Sequence, residues 1–148
     1  MNLNILAANR EDLPLLIQLY ADMDNETPLE KEKAEEIWDA MNKTPNYQIY
    51  LAFQNQAPVG TFSLVYIPTM LNRGYHKFAV LDAVTVTSKL RGQGIGSEMI
   101  KAAIQICADA GCYKVILSSN LQREKAHQFY KKLGFEQHGW SFKCVVGK

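Results

Sequence analysis

Along the 148 residues the spacing of apolar positions changes period several times, and each change predicts an element. Leu3 to Ala7 predicts a short strand. Asn9 can cap a helix that starts near Arg10, with Asp12 at the third position. Leu13, Leu16, Ile17 and Tyr20 then recur at i, i+3, i+4 and i+7, one apolar stripe. Thr27-Pro28-Leu29-Glu30 predicts a second helix start, with Thr27 as cap, Pro28 at the first helical position and Glu30 completing a capping box. Ala34, Ile37, Trp38 and Met41 give that helix its apolar face. Tyr47 to Phe53 and Val59 to Ile67 are rich in strand formers and flank the polar turn Gln54-Asn55-Gln56-Ala57, a β-hairpin signal. Pro68 to Gly74 reads as a loop. Phe78 to Val86 is nearly all apolar apart from Asp82 and Thr85, which suits a central strand buried on both faces.

From Gly94 to Ala110 the period is helical again: Gly96, Met99, Ile100, Ala103 and Cys107 share a face, and Gly111 is placed to end the helix. Val115 to Ser118 predicts a strand. Ala126, Phe129, Tyr130 and Leu133 form the stripe of a last helix ended by Gly134, and Phe142 to Val146 can close the sheet. The order β-α-α-β-β-β-α-β-α-β describes a mixed α/β chain around one sheet. Three consecutive strands in the middle disfavour a doubly wound Rossmann domain. With no internal repeat, low-complexity tract or Gly/Ser-rich linker, residues 1–148 read as one domain.

Composition narrows the function classes. A chain of this length can bury roughly 68–70% of its unfolded surface, and its 47% apolar and 21% charged residues argue against disorder. Sixteen basic against 15 acidic residues, net +1, lack the basic excess of a general nucleic-acid binder but leave room for a local basic pocket. The N-terminal residues carry no charged region followed by a long apolar run, so no secretory signal is expected. No apolar stretch approaches the roughly 20 residues that span a bilayer, so no membrane partner is expected. Cys107, Cys112 and Cys144 are odd in number and form no CxxC pair. They read as three reduced thiols in a cytoplasmic protein. His76, His127 and His138 are scattered, which gives no support for a metal site.

The richest segment for chemistry is Val84-Thr85-Val86-Thr87-Ser88-Lys89-Leu90-Arg91-Gly92-Gln93-Gly94-Ile95-Gly96-Ser97: strand, short loop, glycine-rich turn, helix. Glycines let the backbone approach a ligand closely. The first helical turn offers unpaired N–H groups at the positive end of the dipole, a pyrophosphate site. Arg91 adds a fixed charge with forked donors. A Walker loop is excluded because no GK[ST] follows. The dinucleotide fingerprint is disfavoured by a GxGxG spacing in mid-chain. A glycine turn without any ligand is the remaining alternative.

The segment resembles motif A of the GNAT superfamily of N-acetyltransferases, [R/Q]xxGx[G/A] after a hydrophobic strand, with Arg91, Gly94 and Gly96 matching in order. Downstream, Ala126-His127-Gln128-Phe129-Tyr130-Lys131-Lys132-Leu133-Gly134-Phe135 resembles the family's AxxFYxxxGF motif. The resemblance covers almost the whole chain and is weakest between about Met23 and Asn46. It implies an α/β (α+β) fold with a single mixed, largely antiparallel sheet, central splayed parallel strands and four flanking helices. Many members carry Pro where Ser88 stands, which implies a less rigid loop here.

The resemblance also implies acetyl-coenzyme A as acetyl donor. The strand bearing Val84 would splay from the one bearing Leu117 and receive the pantetheine arm through backbone groups near Val84 and Val86. A freed N–H at about Val84 would polarise the thioester carbonyl. Backbone groups of Gly92, Gln93, Gly94, Ile95, Gly96 and Ser97, with Arg91, would hold the pyrophosphate. Many members have Asn seven residues before the motif Tyr, contacting the pantetheine arm. Arg123 stands at that spacing, suited to a cofactor phosphate, and Asn120 lies ten before. Arg123, Lys125 and Lys131 can face the 3′-phosphate or form a solvated helix face. His127 shares a helical face with Tyr130, for packing or a cofactor contact.

Tyr130 is implied as the general acid that returns a proton to the departing thiolate; the alternative is a core aromatic. An alkyl amine acceptor, with a pKa of about 10.4, must lose a proton before it attacks. Asp82, the only acid in its apolar strand, is the candidate base, and a buried, unpaired Asp would have a raised pKa. The alternative is a carboxylate paired with a basic neighbour or pointing to solvent. The acceptor pocket would be shaped by Met23-Asp24-Asn25-Glu26 and by His138-Gly139-Trp140, with Asp24 and Glu26 holding an ammonium group or forming a solvated acidic loop. The expected function is transfer of an acetyl group to a primary amine of a small molecule by direct attack in a ternary complex. Ser118 to Lys143 is similar to bacterial aminoalkylphosphonate acetyltransferases. A protein N-terminal or lysine acetyltransferase and a non-catalytic acetyl-CoA-sensing module are the alternatives. Homodimerisation stays open.

Overall fold

Alternating strand formers in the first part of the chain build a meander in which each strand pairs with the next. β1 (Leu3–Ala7), β2 (Tyr47–Gln54), β3 (Ala57–Asn72) and β4 (Tyr75–Val86) are antiparallel, and β5 (Val115–Ile116) adds to β4 in parallel. This computed structural model describes residues 2–72 and 74–147. They fall into two compact units, Met1–Leu117 and Ser118–Lys148. The mixed, largely antiparallel sheet and the four α-helices expected from the sequence are present.

In the first unit, register fixes what each face of the sheet does, because cross-strand partners share a face. Ile49 pairs with Ser63 and Leu51 with Thr61, so these four look one way. Ile49 and Leu51 pack in one cluster with Leu13, Leu16 and Leu19 of α1 (Leu13–Asp24) and Ala34 of α2 (Lys31–Asn42). The opposite face carries Phe62 and Leu64, fully buried along with Met99, Ile100 and Ala103 of α3 (Ile95–Asp109). Gly60 belongs to that face. A Cβ built on it would lie 2.5 Å from the Met99 sulfur and 2.7 Å from the Thr85 carbonyl oxygen, so only glycine lets α3 and β4 come this close. Cys107 packs there as a small hydrophobe, its thiol pushed up to about 12 by burial.

Local chemistry sets most boundaries. Asn9 accepts from the Glu11 N–H and Asp12 from the Asn9 N–H, a capping box around a 3-10 turn (Arg10–Asp12) that leads into α1. Asn55 and Gln56 both have positive φ, the shape of a two-residue hairpin turn that matches strand twist. α3 closes in a Schellman motif: Gly111 at φ 84° donates to Ala108 and Cys112 to Cys107.

Four expectations are corrected. α2 begins at Lys31 with Glu30 as its cap and without a side-chain cap bond, so Thr27-Pro28-Leu29 is a connection and not a first turn. Pro68 does not open a loop; β3 continues to Asn72, with Arg73 of the expected loop outside the described residues. The Tyr66 N–H donates to Asn46, just before β2 begins, so two residues on the nitrogen of Pro68 faces a side that β2 has left. Its missing donor is therefore not needed. β5 spans only Val115–Ile116 and not the four residues through Ser118. Phe142 to Val146 forms no strand, and Phe142, Val145 and Val146 are exposed. Strand formers make a strand only when a ladder takes up their N–H and C=O groups, and no ladder among the described residues includes them. Among the described residues of this second unit, α4 (Glu124–Lys132) is the regular element. No helix among the described residues is long and apolar enough to cross a membrane.

Candidate active site

The site starts from an irregularity in β4. Ser63 pairs with Asp82 and Thr61 with Thr85, so two steps on β3 match three on β4. The extra residue is a β-bulge, and Ala83 takes the left-handed φ of 51° that it requires. Such a conformation costs a non-glycine residue roughly 1–2 kcal/mol. Without the bulge Asp82 and Thr85 would point to opposite faces; with it both lie on the α1 face. Ala83 and Val84 have no register partner on β3. On the other edge, the β5 ladder stops at Val80–Ile116, so β4 from Asp82 to Val86 is unpaired there. This is the opening expected beside Val84 and Val86.

Tyr20 of α1 reaches over the same face. Its hydroxyl lies against Thr61, and burial, with Tyr47 and Asp82 nearby, raises its pKa. Thr61, Ser63 and Thr85 are buried under α1, with the Thr61 hydroxyl donating to the Tyr50 carbonyl at 2.7 Å and Ser63 to that of Asp82 at 3.2 Å. Asp82 itself is exposed and not buried.

After β4 the chain makes a 3-10 turn (Ser88–Leu90) and enters the glycine turn, where Gly92 (φ 79°) and Gly94 (φ 86°) are both left-handed. Gly94 caps α3 without any side-chain bond, and the first intrahelical bond runs from the Glu98 N–H to Gly94. The N–H groups of Ile95, Gly96 and Ser97 are thus left without helical partners at the positive end of a 15-residue helix. Arg91, exposed, donates from Nε to the Val86 carbonyl at 3.2 Å, which ties its guanidinium to the end of β4. Sequence reasoning missed Asp22. Its carboxylate accepts from the Ser88 N–H at 2.6 Å and the Ser88 hydroxyl at 2.8 Å. These two bonds hold its pKa below the usual Asp value, with help from Arg91 and Lys89. The loop expected to be less rigid for want of Pro is instead tied to α1. No local pattern announces a bond across 66 residues.

Between α1 and α2 lies a cavity of about 210 Å³. Leu16, Ile17, Trp38 and Met41 form much of its wall, and Asp24 at the end of α1 and Glu26 from the connecting segment also line it. Both acids are exposed, and neither makes a side-chain hydrogen bond or ion pair among the described residues.

In the second unit, Tyr130 sits at the third position from the end of α4. A Schellman motif closes the helix: Gly134 (φ 94°) donates to Lys131 and Phe135 to Tyr130. The Phe135 ring packs edge-on against Tyr130 at 5.6 Å, and Phe129 does so at 5.1 Å. The GF at the end of this segment is thus a helix stop that clamps the tyrosine ring. Burial raises the Tyr130 pKa, opposed by Arg123, so the phenol keeps its proton well past neutrality. Asn120 accepts from the Gln122 N–H through its side chain, and its carbonyl accepts from Arg123 and from His127 Nε2 at 2.8 Å. A carbonyl only accepts, so His127 carries a proton on Nε2 and serves to fix the loop before α4.

Residues 13–135 match the Acetyltransferase (GNAT) family. The chain belongs to that family. Among its relatives is the glucosamine 6-phosphate N-acetyltransferase of Trypanosoma brucei brucei, 40% identical over 80 residues, 54% of this chain and 52% of that protein. The aminoalkylphosphonate N-acetyltransferase of Salmonella typhimurium is 32% identical over 98 residues, 66% of this chain and 62% of that protein. The chain therefore spans between half and two thirds of the length of these two relatives. A candidate acetyltransferase of Agrobacterium tumefaciens, solved as a structure, is 31% identical with a TM-score of 0.87, covering 96% of this chain and 99% of that one.

In this GNAT chain Asp82, Val84 and Val86 lie on the bulged strand that leads into the turn from Arg91 to Ser97, and Asp24 and Glu26 line the cavity between α1 and α2, all within the first unit. Asn120, Arg123 and Tyr130 belong to the second unit.

Proposed function

We propose that this protein transfers the acetyl group of acetyl-CoA to a primary amine of a small molecule, by direct attack within a ternary complex. The observation that carries the reading is the conjunction, within one unit, of an uncapped α3 N-terminus behind left-handed Gly94 and the unpaired edge of β4 just past a bulge. A pyrophosphate needs the first feature: free N–H groups, a positive dipole end and Arg91. An extended amide arm needs the second, since β4 offers it a strand edge at Asp82 to Val86. Backbone groups of Gly92 and Gln93 complete the cradle, and Arg123 and Asn120 are proposed to contact the donor from the second unit.

The bulge leaves a backbone donor near Val84 free for the thioester oxygen, in the manner of an oxyanion hole. The neutral amine attacks the carbonyl carbon, the carbon–sulfur bond breaks, and the thiolate takes the proton of the Tyr130 hydroxyl. The raised pKa of Tyr130 supports that role, because the phenol is protonated when needed. The proton lost by the amine leaves to Asp82 through water, which its exposure allows. The test is release of free coenzyme A thiol from acetyl-CoA with a panel of amines. Amine-dependent turnover is expected; tight acetyl-CoA binding with no thiol release for any amine or peptide would make the protein a sensor and refute the reading.

A further inference from the structure

The cavity between α1 and α2 has a chemistry of its own. It holds about 210 Å³. That exceeds the roughly 150 Å³ of an apolar protein cavity that takes up benzene and falls short of the roughly 300 Å³ at which drug-sized pockets begin. Its side walls are aliphatic and aromatic: Ile17 and Met41 with the Trp38 indole, and Leu16 and Ile49 buried behind them. Its charged lining residues are Asp24 and Glu26, with no Lys, Arg or His among the residues that line it. Carboxylates without partners beside an apolar hole fit one kind of guest, an apolar body with a cationic head.

The polar end also lies on the proper side. Asp24 ends the last turn of α1, the turn that Asp22 ties to Ser88 beside the glycine turn, and Glu26 follows two residues on. Tyr20, one turn earlier, lines the same cavity and lies near Thr61 and Asp82 on the sheet. Tyr20 is thus the residue through which the cavity borders Asp82 beside the bulge of β4.

We infer that the acceptor is a primary amine with a single-ring or short-alkyl apolar body, and that amines bearing a phosphate or phosphonate are excluded. This rests on the acetyltransferase reading and names its substrate class. It sets this chain apart from relatives named for glucosamine 6-phosphate and aminoalkylphosphonates. A phosphate group would meet two carboxylates and no compensating cation at this cavity.

Two measurements on the full chain test it. Thiol release from acetyl-CoA is compared for 2-phenylethylamine, hexylamine, 2-aminoethylphosphonate and glucosamine 6-phosphate. The first two are expected to exceed the others in kcat/KM by at least about tenfold; equal or better turnover of either phosphorus-bearing amine overturns the inference. Calorimetric binding of 2-phenylethylamine is then measured without acetyl-CoA, in the native chain, in Asp24→Asn/Glu26→Gln and in Ile37→Arg, whose side chain lines the cavity and is 41% exposed in the native fold. Binding weakened by on the order of tenfold in both variants is expected. If 2-phenylethylamine binds in this way but no amine releases thiol, the acetyltransferase reading fails and the cavity assignment stands. If thiol release proceeds while binding is absent or indifferent to both variants, the cavity assignment fails and the activity stands.

Discussion

Gly60→Ala tests how tightly the two faces of the site are locked together. The added methyl carbon would meet the Met99 sulfur at 2.5 Å and the Thr85 carbonyl oxygen at 2.7 Å, both well inside normal contact. Methionine can swing its end away. The Thr85 carbonyl cannot, because Thr85 is paired with Thr61 next to the bulge. The strand must therefore shift or the methyl stays strained, and overpacking of this kind typically costs about 1–3 kcal/mol. For a chain of this length each kcal/mol lowers the melting temperature by about 2–4 °C, so a loss of roughly 2–12 °C is expected in thermal unfolding. The strain falls between Val84 and Val86, so acetyl-CoA affinity, measured by calorimetry below the transition, should weaken as well. A variant within about 0.5 kcal/mol of the native chain in urea unfolding, with native acetyl-CoA affinity, would refute the close packing of α3 and β4 on which the site geometry depends.

Three further outcomes follow. Tyr130→Phe keeps the clamped ring but removes the acid, so kcat should fall on the order of 10²–10⁴ with acetyl-CoA affinity little changed. Because burial raises the Tyr130 pKa, the alkaline loss of activity due to this group should lie above its ordinary value of about 10; native kcat in the variant would leave Tyr130 a packing residue only. Asp22→Asn should raise the KM for acetyl-CoA more than it lowers kcat, since it loosens the loop and not the chemistry. The lowered Asp22 pKa gives a stabilising contribution that is full above the unfolded value of about 3.9 and lost as pH falls through the lower folded value. The native-minus-variant difference in stability should thus be flat from pH 5 to 8 and vanish only in acid; a difference that appears near neutrality would contradict it. Asp82→Asn should lower kcat/KM by about 10² or more with folding intact; near-normal turnover would assign the proton to water or to Glu26.

What the sequence makes legible is governed by the range of the interaction. The start and stop of α3 are written locally, in a left-handed Gly94 and a Schellman Gly111, and both were readable. So was the motif around Tyr130, where Gly134 and Phe135 act within one turn of the ring. Thr27-Pro28-Leu29-Glu30 has the letters of a helix start, yet it remains a connection, and Thr27 and Leu29 line the cavity instead. Pro68 breaks a strand only if its nitrogen faces a partner, and whether β2 reaches that far is a matter of register, not of composition. The Asp22–Ser88 bonds and the contact of Tyr20 with Thr61 join elements dozens of residues apart. No period or spacing encodes such pairs. Asp82 was legible as an acid in an apolar strand, but its exposure depends on the face its pairing with Ser63 gives it and on what packs over that end of the strand.

The bulge offers a way to separate fold from chemistry. Deleting Ala83 would let Val84 pair with Phe62, between the existing pairs Ser63–Asp82 and Thr61–Thr85. Asp82 and Thr85 would keep their faces, because the pairs on either side are unchanged and only the extra residue is gone. The packing of α1 and α3 would survive, and a left-handed alanine worth roughly 1–2 kcal/mol of strain would be removed. The deletion is therefore expected to fold with stability equal to or above that of the native chain. Val84 would face Phe62, whose backbone bonds go to β2, so the donor near Val84 would be re-aimed by the regular strand geometry and lost to the thioester oxygen. Loss of one such donor typically lowers kcat by roughly 10²–10³. Urea unfolding and thiol-release kinetics on the same preparation give both numbers. A stable deletion variant with native kcat would show that the bulge serves only the geometry of the sheet, and that the carbonyl is polarised elsewhere. A variant that loses several kcal/mol would show instead that the strain at Ala83 is offset by contacts of the bulge itself, a structural role the register does not reveal.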